Sequence, residues 1–472
     1  MPDAIVVGSG PNGLAAAIVL VEAGLSVEVL EGASTPGGGC RTEERTLPGF
    51  LHDTCSTVQS LASSSPFFAE FDPTARGVRL LQPPVAFAHP LDGGRATAVT
   101  MSVEDTAAGL GADARTYRRL LGPLVAEATS IIPAMLAPLR SVPAAPVAVA
   151  RFACLASLPA SMLVRRFRTD AARGLLAGVS AHSIRPLNAP LTSGFGLLLT
   201  IVAHHGGWPV VEGGSARLTD SMLDWLVEHG ARVTTGRQVT SLAELPSRRA
   251  TLLDTSVRDF LRIGGDSVDP RERRSLARFR YGPGVCKVDW ALSGPVPWTA
   301  EVCRDAGTVH VGGTFEEIAG ALSDVHAGRH AARPFCIVVQ AGVVDPSRAP
   351  AGRQTLWGYC HVPAGSTEDV TASIEAQIER FAPGFRDLVL ARHTTTASQL
   401  EAANPNYVGG DINGGAATFR QTVFRPSVRW DPYRTSVDGL YLCSSATPPG
   451  GGVHGMCGVG AARATLEHLG RR

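Results

Sequence analysis

Lysine is all but missing from this chain: Lys287 is the single lysine among 43 basic residues, and the rest are arginines. Basic and acidic side chains nearly cancel, to a formal charge of +1, so nothing electrostatic points to a nucleic-acid partner. Closely spaced cysteines are missing too. The nine cysteines contain no C-x-x-C, and no two of them stand within ten residues of each other. That spacing excludes a zinc knuckle or a thioredoxin-like redox pair, and no metal site is expected. No uncharged apolar run is long enough to span a bilayer; the longest candidate, Phe152 to Val164, is short and broken by Pro159. Met1-Pro2-Asp3-Ala4 leads straight into an apolar strand, without the charged and apolar regions of a signal peptide. These absences together predict reduced thiols in a cytoplasmic protein.

What is present is a globular composition, 44% hydrophobic and 18% charged over 472 residues, enough chain for two domains woven from separated segments. Apolar periodicity predicts a strand at Ala4–Val7, a helix over Leu14–Ala23 closed by Gly24, and a strand over Ser26–Leu30. Residues 103–204 read as mostly helical. A helix over Ala216–Glu228, a strand over Ala231–Thr235 and a core strand Thr251–Asp254 follow. Strands such as Val285–Leu292, Phe335–Gln340 and Gln354–Val362 predict an antiparallel sheet. A last strand, Gly439–Cys443, leads into a closing helix over Val453–Leu469.

Gly8-Ser9-Gly10-Pro11-Asn12-Gly13 is a G-x-G-x-x-G between the first strand and the first helix. The first glycine permits the tight turn, the second lets backbone approach a pyrophosphate, and the third lets helix pack on strand. The helix N-terminus adds N–H donors and the positive end of its dipole. Glu31, eighteen residues after Gly13, stands where a carboxylate accepts from ribose hydroxyls and disfavours a 2′-phosphate. A second glycine turn, Gly37-Gly38-Gly39, ends in Arg41, which can pair with a pyrophosphate. Large FAD proteins often have this second clamp, and NAD dehydrogenases do not need it.

Gly37 to Thr42, Pro48-Gly49-Phe50, His52-Asp53 and Cys55-Ser56 resemble the phytoene desaturase and carotenoid isomerase class of flavoproteins. The run GLYLCSSATPPGGGVHGMCGVGAARA from Gly439 is similar to that class's flavin-ring motif. Tyr281 to Leu292, Asn404 to Gly415 and Gly206-Gly207-Trp208-Pro209 narrow the resemblance. They point to the phytoene dehydrogenase-like branch called pyridine nucleotide-disulphide oxidoreductase domain-containing protein 2. The likeness spans essentially the whole chain. It implies an α/β flavoprotein of two domains: a Rossmann-type FAD domain from residues 1–75, 207–277 and 425–472, and a substrate domain from 76–206 and 278–424 with a mixed or antiparallel sheet and helices. It further implies Val239, in a strand after Gly236, with its backbone against the adenine. At the ring end it implies Gly451, Gly452 and Val453, where the closing helix aims its N–H groups at the negative charge of reduced flavin. Disulphide chemistry is not expected despite the branch's name. No close cysteine pair is present, and Gly455 to Gly460 reads as helix interior rather than a second nucleotide turn.

The implied activity moves a hydride between an apolar or natural-product-like substrate and the flavin, with oxygen or a quinone-like acceptor. A redox-neutral isomerase or saturase and a non-catalytic flavin-binding interaction protein are the alternatives. Candidate catalytic side chains are Lys287, His454 and Tyr407. Lys287 stands in a segment where flavin amine oxidases hold a water against flavin N5 with a lysine. Ordinary structural roles compete for all three: an ion pair of Lys287 with Asp289, a helix-terminal hydrogen bond for His454, a satisfied buried hydroxyl for Tyr407. His204 and His205 are read as structural before substrate-contacting. The apolar section Ile131–Val164, flanked by Arg165 and Arg166, is read as ordinary cap-domain packing, with a tunnel wall or a peripheral membrane patch as the alternatives.

Overall fold

The computed structural model describes residues 1–138 and 141–470; Leu139 and Arg140, within the apolar section, and the last two arginines lie outside the described residues. Sixteen strands run through it: β1 Ala4–Val7, β2 Val27–Leu30, β3 Thr42–Glu44, β4 Leu51–Asp53, β5 Leu80–Leu81, β6 Val85–Leu91, β7 Arg95–Val99, β8 Val210–Val211, β9 Arg232–Thr234, β10 Ala250–Leu253, β11 Gly284–Leu292, β12 Ala306–Val311, β13 Cys336–Val339, β14 Gln354–Val362, β15 Val389–Thr395 and β16 Leu440–Leu442. Two sheets dominate. One is five-stranded and parallel throughout, in the order β16-β10-β1-β2-β9. Its strands β1, β2, β10 and β16 are buried on both faces, as a parallel sheet covered by helices requires.

The other sheet has seven strands in the order β15-β11-β14-β13-β12-β6-β7, antiparallel except where β12 pairs with β6. Strand period two divides it by face. Val288, Trp290, Val309, Val338 and Cys360 pack into one apolar cluster. The other face carries two cross-strand rows. Thr308, Val339, Trp357 and Asp289 form one; His310, Ile337, Tyr359 and Lys287 form the next.

Local physics accounts for where the elements differ from expectation. The first helix is Pro11–Glu22, three residues earlier than its apolar periodicity indicates, because Pro11 at its start has a fixed φ suited to a first helical turn. Val239 is buried but lies in irregular backbone between β9 and β10, not in a strand. The closing helix is Met456–His468, and Gly455 at φ 71° stands before it, so Val453 and His454 precede the helix. The described residues of 131–164 do not line the main cavity. Ile131, Ile132, Phe152, Leu163 and Val164 instead join a helical core, while Val142, Val147 and Met162 face outward. The segments Pro146–Ala156 and Ala160–Arg166 meet at 96°, and among the described residues no single helix is long and apolar enough to cross a membrane.

A buried ion pair ties the two sheets' surroundings together. Arg348 pairs with Asp345 at 2.7 Å and with Asp53 at 3.0 Å, and donates to the Val211 carbonyl at 3.0 Å. Asp53 also accepts from Thr42 Oγ1 and the Ser215 backbone.

Candidate dinucleotide and substrate site

A cavity of about 560 Å³ runs from the glycine turn to the seven-stranded sheet. At one end Gly8, Ser9, Gly10 and Asn12 line it, with Glu31, Val239 and Arg237. Gly8 takes φ 100°, open to glycine and costly for other residues, and a Cβ there would stand 2.8 Å from the Asp254 carbonyl oxygen. Gly13 does not line the cavity; its N–H donates to Asp254 Oδ2 at 3.0 Å, which closes the turn against the end of β10. Glu31 grips the same loop: its carboxylate accepts from Ser9 N at 2.9 Å, Ser9 Oγ at 2.6 Å and Ala33 N at 2.8 Å.

The second turn packs on the first. A Cβ on Gly38, itself at φ 56°, would come within 2.8 Å of Gly10 Cα. Arg41 lines the cavity and its Nε donates to the Gly38 carbonyl at 3.0 Å, leaving most of its guanidinium for an anion. Gly39 faces Tyr407, whose hydroxyl would stand 2.5 Å from a Cβ placed there. Tyr407 thus lines the cavity beside the second turn. Gly451, Gly452 and Val453 also line it, as loop rather than helix, with Gly451 held against the Asn413 carbonyl.

The structure places two of the three candidate catalytic side chains behind the cavity wall. His454 is buried and does not line the cavity. Its Nε2 faces the Gly450 carbonyl at 3.1 Å and its Nδ1 accepts from Met456 N at 3.0 Å, so the ring braces the glycine loop and takes the first free N–H of the closing helix. Burial lowers its pKa to about 4, so it is neutral at physiological pH. Lys287 likewise stands behind the wall. Its Nζ pairs with Asp289 and lies 5.2 Å from the centre of the Trp357 ring, and Trp357 is what lines the cavity. Burial lowers the Lys287 pKa, while Asp289 opposes the shift. Removing one member of a buried pair strands the other. Lys287→Met is therefore expected to cost about 2 kcal/mol in urea unfolding, moderated because Arg45 remains 3.9 Å from Asp289. Lys287→Met with Asp289→Leu should recover most of that loss; no recovery would detach the lysine's role from this pair.

Asp254 escaped the sequence reading. The segment Thr251–Asp254 reads as core strand, and nothing local shows that its carboxyl lies under a glycine turn 241 residues away. Burial raises it from an ordinary 3.8 to about 7, and the Glu31 charge adds to this; N–H groups of Gly13 and Gly10 pull the other way. A raised pKa means that the neutral carboxyl's contribution to stability is whole below about pH 4 and is lost as pH climbs through about 7. Asp254→Asn, neutral throughout, should gain on the wild type by a few kcal/mol between about pH 4 and about pH 8, read from urea unfolding of flavin-free protein. Parallel stability curves would contradict this assignment.

The sheet end of the cavity is lined by Trp208, Thr308, Ile337, Val339, Trp357 and Tyr359, with His182 and Cys55 beside them. Among the described residues no charged side chain lines this end. Trp357 and Tyr359 stack at 5.8 Å, and their neighbours hold both indoles in place: Trp208 Nε1 donates to Thr308 and Trp357 Nε1 to Thr57. The Gly206–Pro209 motif signalled Trp208, whereas Trp357 and Tyr359 had no signal beyond alternation within a strand.

Residues 6–71 match the model of an NAD(P)-binding Rossmann-like domain. Along 99% of its length the chain is 25% identical to pyridine nucleotide-disulfide oxidoreductase domain-containing protein 2 of Rattus norvegicus, covering 94% of that protein. It is 25% identical over 53% of its length to the neurosporene-forming phytoene desaturase of Rhodobacter capsulatus, covering 48% of that enzyme. Putrescine oxidase bound to putrescine shares the fold, with a TM-score of 0.63 at 17% identity, covering 100% of this chain and 99% of that one. A parallel sheet, a glycine turn and a mixed second sheet thus give the chain the two-sheet α/β fold of that solved structure, with residues 6–71 as an NAD(P)-binding Rossmann-like unit.

Proposed function

We propose that the protein is an FAD-dependent oxidoreductase that moves a hydride between a carbon of an uncharged, largely apolar organic substrate and the flavin. One observation carries this reading: a single cavity joins the dinucleotide turn to an aromatic compartment free of charged lining groups. The residues fit the cofactor. Asn12 Oδ1 is buried at the turn with no protein partner, a position a ligand hydroxyl can fill, and Arg41 keeps donors for the pyrophosphate. Bound FAD would supply a two-electron acceptor for hydride; the chain's own part is to hold the substrate and exclude water. Trp208, Trp357 and Tyr359 do both with flat apolar faces, and the two indole N–H groups are taken up by Thr308 and Thr57.

Purified protein should be yellow and release FAD, rather than FMN or NAD, on heating. Anaerobic mixing with an organic-soluble cell extract should bleach the flavin, and air or a quinone should restore it; co-purified molecules identified by mass spectrometry would name the substrate. A flavin that no fraction bleaches would favour the non-catalytic reading. NADH and NADPH should reduce it far more slowly than roughly 1 per second, since the cavity offers one dinucleotide turn. Rapid reduction by either would overturn this assignment.

A further inference from the structure

His182 and His310 meet where the substrate compartment closes over the seven-stranded sheet, and His361 lies near His182. His310 and His361 come from β12 and β14, and His182 stands above them in the short turn Ala181–Ser183. His182 lines the cavity, and its Nε2 lies 3.0 Å from His310 Nε2, so one ring donates and the other accepts. His310 Nδ1 is buried with no hydrogen-bond partner, and the His361 ring has only the Ala181 backbone to meet it. Those two side chains are 0% and 4% exposed. An unpartnered buried polar group costs on the order of 1–3 kcal/mol. Such a group beside a cavity is therefore an unusual expense for an apolar wall.

We infer that His182, backed by His310 and His361, is a hydrogen-bonding subsite for an uncharged oxygen-bearing group, a hydroxyl or a carbonyl, on an otherwise apolar substrate. The inference rests on the oxidoreductase reading and names the substrate class that the cavity selects. Neutral imidazole both donates and accepts, so it serves a hydroxyl or a carbonyl equally well. Burial lowers His182 to about 4 and His361 to about 3, and holds His310 well below its ordinary value; the cluster is thus uncharged near neutral pH. Burial is what shifts His182. A carboxylate or a phosphate would be desolvated here without a counter-charge, which is costly. A bare hydrocarbon would leave unfilled the His182 ring, which lines the cavity. An alcohol or a ketone satisfies both conditions.

The test is calorimetric titration of the flavin-loaded protein with naphthol, naphthalene and naphthoate, three probes of one shape that differ in a single polar group. Wild type should bind naphthol about tenfold more tightly than naphthalene or naphthoate. His182→Phe should reduce the advantage over naphthalene to about threefold or less, and His182→Ala should do the same if the phenylalanine variant folds poorly. His182→Gln, which keeps a donor and an acceptor, should preserve much of the preference. Equal affinity for naphthol and naphthalene, no binding of either, tighter binding of naphthoate, or a preference that survives both His182→Phe and His182→Ala would each overturn the subsite. Heat-released flavin, measured on the same samples, reports the cofactor independently, so loss of the subsite and loss of the oxidoreductase reading are told apart.

Discussion

Gly10→Val is expected to purify as a folded, colourless protein. A Cβ at Gly10 would stand 2.7 Å from Asp254 Oδ2, and the next turn already lies close, since a Cβ on Gly38 would be 2.8 Å from Gly10 Cα. The valine methyls therefore cannot retreat toward protein and must enter the cavity that Gly10 lines. The substitution also pushes on the carboxyl that accepts from Gly13 N, so the turn itself is displaced. Flavin affinity should fall at least about a thousandfold, about 4 kcal/mol, measured by reconstituting the apoprotein with FAD and following flavin fluorescence. The far-ultraviolet circular dichroism should change little, because the compact core under the parallel sheet does not include Gly10. Full flavin occupancy in this variant would remove the glycine turn from the cofactor site.

Gly458→Ala should be the most damaging single methyl group in the parallel-sheet domain. Gly458 lies in the closing helix, where that helix crosses the first. An added Cβ would overlap the Asn12 carbonyl oxygen and lie 2.8 Å from Asn12 C and 2.9 Å from Ala16 N. These are backbone atoms, so no rotamer change relieves the contact and the two helices must separate. Overpacking of this kind costs about 3 kcal/mol, and Asn12 would carry the strain into the dinucleotide turn. Urea unfolding and flavin content should therefore fall together. Gly320→Ala is the matched control: it also sits within a helix, Phe315–His326, but a Cβ there meets nothing within 4 Å. It should be neutral or stabilising by about 0.5–1 kcal/mol. Equal effects at the two positions would show that helix propensity, not the crossing, explains Gly458.

By itself the sequence determined the dinucleotide unit and the identity of its glycines. Strand, turn, helix and strand follow one another from Ala4 to Leu30, and each is signalled by short-range periodicity and by residues whose backbone freedom is local. The solitary lysine was also legible, and so was its pairing with Asp289, because residues two apart on a strand share a face. Tertiary structure decided the rest. It set His454 to bracing a loop and put Lys287 behind Trp357, since which strand lies beside which depends on pairings between distant segments. Asp254 reached Gly13 across 241 residues by the parallel register of β1 with β10. The aromatic compartment and its imidazoles arose the same way. Tyr359, Ile337 and His310 share a row only because β14, β13 and β12 align in one register, and alternation within a strand tells which residues share a face but not what that face will meet.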